Sequence, residues 1–235
     1  MTFAEQITYL WNVRERFIES LGLSLLIAFF ALLIGFIIGV IMAMIKIAPK
    51  NNFIVKILDK FVDIYVAVIR GTPMLVQLLI MYSVILASLK TASTNLIVPI
   101  VSFGINSGAY MAEIIRSGIN SVDKGQMEAG RSLGLNWVAT MIKIIIPQAI
   151  KVVVPTIFNE IIILVKETSI IGSIVINVNQ IQKYDLLNLA EIVAYGKVGV
   201  YMMSLFVVAL FYLIVVFILT LIQKAIERRL SKNER

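Results

Sequence analysis

Residues 121–147 read SVDKGQMEAGRSLGLNWVATMIKIIIP, and the rest of the chain is interpreted outward from them. The stretch is too polar to enter a bilayer, yet it lacks the composition of a flexible linker. Val122, Met127, Ala129, Leu133 and Leu135 alternate irregularly with Asp123, Lys124, Glu128 and Arg131. That mixture suits a short amphipathic helix over about 121–135. Ser121 and Asp123 fit its start, because short oxygen side chains and anions satisfy the free N–H groups there. Gly134 followed by Asn136 fits its end. Such a helix either docks into a groove on another protein or lies on a membrane surface, and these residues alone leave both readings open.

The flanks are of a different character. Of 235 residues, 60% are hydrophobic and only 15% are charged, and the mean hydropathy is +0.94. A soluble domain carries about 25% charged residues, so this chain reads as an all-α integral membrane protein with one transmembrane domain over 1–235. Apolar runs long enough to cross a bilayer place five spans at roughly 20–45, 54–89, 91–115, 138–165 and 198–223. The polar stretch then joins spans three and four. Glu5, Arg14, Glu15, Arg16 and Glu19 precede the first run, which ends at lysines rather than at a small-residue cleavage site. It therefore reads as a retained span.

Basic residues give the direction. Lys46, Lys50, Lys56, Lys60, Arg116, Lys124, Arg131, Lys143 and the tail Lys224, Arg228, Arg229, Lys232 and Arg235 make 13 on one side, against 6 on the other: Arg14, Arg16, Lys90, Lys166, Lys183 and Lys197. The richer side is expected in the cytoplasm, with the N-terminus outside and the C-terminus inside. The same rule accounts for the net charge of +7 without nucleic acid. Pro147 and Pro155 are expected to disturb the fourth span. The connection 167–197 is long, and its apolar part Ser169 to Val178 is too short to cross, which suggests a short or re-entrant helix.

Catalytic chemistry is not encoded. The chain has no Cys and no His, which removes thiol nucleophiles, disulfides, Cys/His metal sites and His bases. It also lacks the G-x-x-x-x-G-K-[ST] phosphate loop. No cofactor, metal or catalytic residue is assigned, and active transport would need energy from a partner.

At this point the motifs become specific. Glu128-Ala129-Gly130, Gly134, Ile144 and Ile146-Pro147 resemble the "EAA" loop of ATP-binding cassette (ABC) importer permeases, with Gly130 for its second Ala and Ile146 for its Leu. Arg70-Gly71-Thr72-Pro73 with Leu75-Val76-Gln77 resembles the "RGTPxLVQ" signature of polar amino acid permeases. Ser107-Gly108-Ala109-Tyr110, Glu113, Arg116 and Gly118 resemble "SAYxAEixRGGI", with Ser117 for the first Gly of the closing pair. Lys166-Glu167-Thr168-Ser169-Ile170 resembles "KDTSL". The resemblance implies the type I importer permease fold in a bacterial inner membrane. It implies that Glu128, Ala129, Gly130 and Gly134 belong to a coupling helix seated on a nucleotide-binding ATPase dimer. It further implies an extracytoplasmic solute-binding protein, a second permease copy or similar subunit, and an amino acid substrate. A stand-alone secondary carrier or channel, and a permease for methionine or another small nutrient, are the alternatives.

Charge inside a span is the best pointer to a substrate site. A carboxylate near mid-bilayer costs about 2.5–3.5 kcal/mol, so it faces a cavity or a partner. Glu160 and Glu167 are two helical turns apart and share a face if the helix continues. Their charge suits a cationic or zwitterionic ligand. Lys151 lies roughly on the opposite face from Glu160, a poor position for pairing within the helix. Arg70 sits at the Gly-Thr-Pro break, where it can hold a substrate carboxylate or clamp the kink through carbonyls. Thr72, Gln77, Asn106, Asn159 and Thr168 complete the candidate set, each with helix–helix hydrogen bonding as its alternative role.

Overall fold

The computed structural model describes residues 2–88, 94–173, 185–197 and 199–232, and every regular element among them is helical. The order is α1 (Phe3–Asn12), α2 (Arg14–Ile47), α3 (Phe53–Gly71), α4 (Met74–Ser88), α5 (Thr94–Asn120), α6 (Lys124–Ser132) and α7 (Trp137–Thr140). A π-helical turn (Met141–Ile145), α8 (Ile146–Glu167), a 3-10 turn (Thr168–Ser173), α9 (Leu186–Ala194) and α10 (Val200–Lys232) follow. Among the described residues, Arg14–Ile47, Leu96–Asn120, Trp137–Gly172 and Val200–Leu230 are each long and apolar enough to cross a membrane, and Phe53–Gly71 with Met74–Val84 are so only together, as a pair bent by 105°. The break falls at Thr72, which is extended (φ −121°, ψ 144°), because the residue before a proline is pushed out of the helical region. The expected boundary between spans two and three, at 89–91, and the end of the expected short segment, 174–178, lie outside the described residues.

The described chain gathers into two compact units. The first comprises Met1–Leu32, Pro73–Gly104 and Ile162–Leu219, and it is held by apolar burial. Thr2 and Glu5 close a capping box at the head of α1. Leu10 and Phe17 pack with Leu186, Leu189, Val193 and Val208, and Phe17 stacks on Phe211 at 6.2 Å between ring centres. A second cluster joins Ile27, Ala31, Leu78, Tyr82, Val98, Phe103 and Leu164. The nine residues of α9 bury five side chains. Its cap is Asp185, whose carboxylate accepts from the backbone N–H groups of Leu187 and Asn188. Burial pushes this carboxyl up to about 6, and nearby Glu191 adds to the shift while those two N–H groups oppose it.

The second unit comprises Leu33–Thr72, Ile105–Ile161 and Thr220–Arg235. Its core is a crossing of α2 and α5 at small residues. A Cβ at Gly39 would stand 2.3 Å from Cβ of Met111, and one at Gly108 would stand 2.7 Å from Cγ2 of Ile38. Gly35 and Gly39 form a G-x-x-x-G face, the pattern that lets apolar helices approach backbone to backbone. The Tyr65 hydroxyl donates to the carbonyl of Ile105 and so ties α3 to α5. Asp59 and Asp63, one turn apart along α3, both meet Lys46 at the end of α2, at 2.9 Å and 2.7 Å. Along their most apolar stretches, 61% of residues are buried in α5 against 6% in α10.

Candidate functional site

The polar stretch folds as a rigid block. Helix α6 runs Lys124–Ser132, shorter at both ends than the expected 121–135. Asp123 caps its start by accepting from the N–H of Gly125. Its end is a Schellman closure: Leu135 N–H reaches the carbonyl of Gly130 and Gly134 N–H reaches that of Arg131. The motif requires a left-handed residue, and Gly134 supplies φ +82°. Asn136 then caps α7 through the N–H of Ala139 at 2.8 Å. Gly130 is buried, and a Cβ there would lie 2.5 Å from Cγ2 of Thr140 and 3.1 Å from Cδ1 of Ile144. This explains why Gly replaces the second Ala of the motif: Thr140 already fills the space. Gln148 on α8 donates to Gln126 at 3.3 Å. Glu128 and Ala129 remain exposed, and Leu133 is 81% exposed. A polar helix is thus pinned at both ends while its outer face is left open.

The π-helical turn at Met141–Ile145 precedes Pro147, which lies in the first turn of α8. A proline has no N–H to donate, so a widened turn before it accommodates the lost bond. The helical run nonetheless continues from Trp137 to Gly172, with Pro155 inside α8.

The candidate substrate residues divide between the units. In the second unit, Glu160 is 6% and Asn106 is 4% exposed. Asn159 is exposed and accepts from Gln223 Nε2 at 3.1 Å, a bond between α8 and α10. Arg70, in the last turn of α3, is exposed with its guanidinium 5.2 Å above the ring centre of Tyr110. The Thr72 hydroxyl donates to Val68 at 2.8 Å. In the first unit, Gln77 and Glu167 are half-buried. Thr168 is fully buried and donates to the carbonyl of Val165 at 2.7 Å. Helix α8 is unbroken from Glu160 to Glu167, so the two carboxylates do share a face.

Sequence reasoning missed one cluster. Lys46, Asp59, Asp63, Glu113 and Arg116 form ion pairs in the second unit. Glu113 and Arg116 are three apart, a readable pairing signal. The Lys46–Asp63 contact joins residues 17 apart, which no local pattern shows.

Residues 35–232 match the model of the family described as the binding-protein-dependent transport system inner membrane component. The chain belongs to this family. The family places it among multi-pass inner-membrane permeases, whose members generally work with an ATPase and a binding protein. Among curated relatives, the arginine transport system permease protein ArtQ of Bacillus subtilis is 36% identical over 217 residues, covering 92% of this chain and 93% of that one. The putative glutamine transport system permease protein GlnP of Rickettsia bellii is 37% identical over 213 residues, covering 91% and 92%. A solved structure titled as an amino acid ABC transporter with histidines aligns with TM-score 0.82 at 33% identity, over 97% of this chain and 99% of that one. The inward-facing MetNI methionine transporter aligns with TM-score 0.69 at 19% identity and supports the fold alone. The family member described here thus has the type I ABC importer permease fold.

Proposed function

We propose that this permease carries a polar amino acid into the cytoplasm, as a subunit of an ABC importer powered by a separate ATPase dimer. The observation that carries the reading is the α6 block: a polar helix fixed by Gly130, Gly134 and Gln126, with Glu128, Ala129 and Leu133 open to a partner. The basic residues on the same side favour a cytoplasmic position for it, with the N-terminus outside. The lack of a phosphate loop calls for a partner that binds ATP. Closure of that partner would pull on α6 and shift the permease, paired with a second copy or a similar subunit, between outward- and inward-open states. ATP can move this equilibrium only through its differential affinity for the two states. A solute-binding protein would deliver the ligand from outside. In the second unit, Glu160 would meet its ammonium or side-chain cation, with Asn106, Asn159 and Thr72 as neutral contacts; in the first unit, Glu167 would offer a further carboxylate, with Gln77 and Thr168 beside it in the candidate set. Arg70 would serve the carboxylate. The arginine, glutamine and cystine permeases among the relatives support an amino acid as cargo.

Glu128→Lys tests the reading. It places a cation on the open face, at a side chain that makes no hydrogen bond or ion pair among the described residues. ATP-driven uptake in reconstituted vesicles should be lost, and the ATPase subunits should no longer co-purify. Normal uptake with a complete complex would refute the assignment of α6.

A further inference from the structure

A cavity of about 320 Å³ opens among α2, α3 and α5 in the second unit. Four charges of alternating sign line it: Lys46, Asp63, Glu113 and Arg116. Val62 and Ala112 supply apolar wall between them. Each charge already has a partner. Lys46 meets Asp63 at 2.7 Å, and Arg116 Nε donates to Glu113 at 3.0 Å. The pairs also act across the cavity, since Asp63 is close enough to influence Arg116, and Lys46 to influence Glu113.

The pattern selects a class of ligand. A metal ion would meet two cations as well as two carboxylates, and a phosphate would meet two carboxylates as well as two cations. A molecule carrying one positive and one negative group a short distance apart can satisfy opposite corners at once. The volume falls at the lower end of the range for small-ligand sites, about 300–1,000 Å³. The pairs are also built to open. The Asp63 side chain is 59% exposed, whereas Lys46 is 16% exposed and keeps a second carboxylate, Asp59, at 2.9 Å. Asp63 can therefore swing to a ligand without leaving a half-buried cation alone. Glu113 and Arg116 side chains are 32% and 34% exposed, open on one side.

We propose that this cavity is a second, low-affinity subsite for the zwitterionic head of an α-amino acid, used as the cargo leaves toward the cytoplasm. The ligand's carboxylate lies between Lys46 and Arg116, and its ammonium between Asp63 and Glu113. Affinity is low because bound ligand replaces ion pairs that already exist, and that weakness suits release. The inference rests on the proposed amino acid import. It adds a site distinct from Glu160 and Glu167.

The test uses the full complex reconstituted with its ATPase and binding protein, with the vesicle lumen standing for the cytoplasm. Initial ATP-driven uptake is measured against rising luminal concentrations of the same unlabelled amino acid, each normalised to uptake into empty vesicles. Luminal amino acid should slow uptake by the parent complex, and its amide, lacking the carboxylate, should do so far less. Asp63→Asn should raise the luminal concentration for half-inhibition roughly tenfold, the loss of one charge-assisted hydrogen bond. Glu113→Gln should act in the same direction, and Lys56→Gln, an exposed change outside the cavity, should not. A merely structural role would scale uptake at every luminal concentration and leave the half-inhibition point unmoved. That result, or no luminal inhibition of the parent complex, overturns the proposal. If neither variant assembles, equal inhibition by the amide and its parent overturns it. Failure of the parent complex to take up any amino acid would count instead against the proposed function.

Discussion

Two helices of nine residues, α6 and α9, share a design and differ in almost everything else. Each opens on an aspartate cap, Asp123 and Asp185. Helix α9 buries Leu186, Leu189, Ala190, Val193 and Ala194, so its own unit holds it in place along its length. Helix α6 buries only Gly130 and is fixed instead by its ends, by one tight glycine contact and by the bond from Gln148 to Gln126. A helix this short is marginal alone, since nucleation is unfavourable and each added turn contributes little. The comparison shows two ways to stabilise one: bury its face, or clamp its termini and keep the face free. Only the second leaves a surface for another protein.

The widest gap between the helices should appear on truncating a leucine within α9 and the leucine that caps the end of α6. Leu189→Ala removes a side chain that is 1% exposed and should cost about 2–5 kcal/mol. Leu133→Ala removes one that is 81% exposed and should change stability by less than about 0.5 kcal/mol. Thermal unfolding of the purified permease checks both, and equal losses would erase the distinction.

The caps should separate next, by pH. The folded carboxyl of Asp185 is raised to about 6 from an ordinary 3.8, so the folded state retains a proton that the unfolded state releases. That contribution is fully present below about pH 3.8, declines as pH rises through about 6, and is flat above. Across this window the parent protein should lose on the order of 2–3 kcal/mol that Asp185→Asn does not lose. Melting temperatures from pH 4 to 8 measure it, and parallel curves for parent and variant would show that the Asp185 cap does not differ from an exposed one.

The smallest effect concerns the clamp. Gly134→Ala forces a side chain into the left-handed region and should cost about 1 kcal/mol. The loss should show as weaker coupling of ATP hydrolysis to uptake more than as unfolding. If stability and coupling are both unaffected, the Schellman closure does not hold α6.

Much of this was legible from residue patterns. The spacing from Glu128 to Pro147 marked the α6 block, and Gly71-Thr72-Pro73 marked the broken pair α3–α4. Long apolar runs marked α2, α5, α8 and α10, although α2 begins at Arg14 and not near Ser20. The polar run before it contains α1, which the Thr2–Glu5 capping box signals. Helix α9 was not legible, because a short apolar run bounded by polar residues fits several structures equally well. The candidate substrate residues were chosen for charge and depth, and sequence carries no information on which unit receives each one. The charged cavity escaped notice for a related reason. Lys46 reads as an orientation signal, whereas its role depends on helices that meet only after folding.

The widened turn at Met141–Ile145 has a consequence for how this protein tolerates change. One extra residue in a turn advances the helix face by about 100°, so everything before it is aimed by residue count as well as by chemistry. A single-residue deletion in 141–145 would leave composition and hydropathy nearly untouched while rotating the block that bears Glu128 away from its bearing. Substitutions there should be forgiven more readily than any change in length.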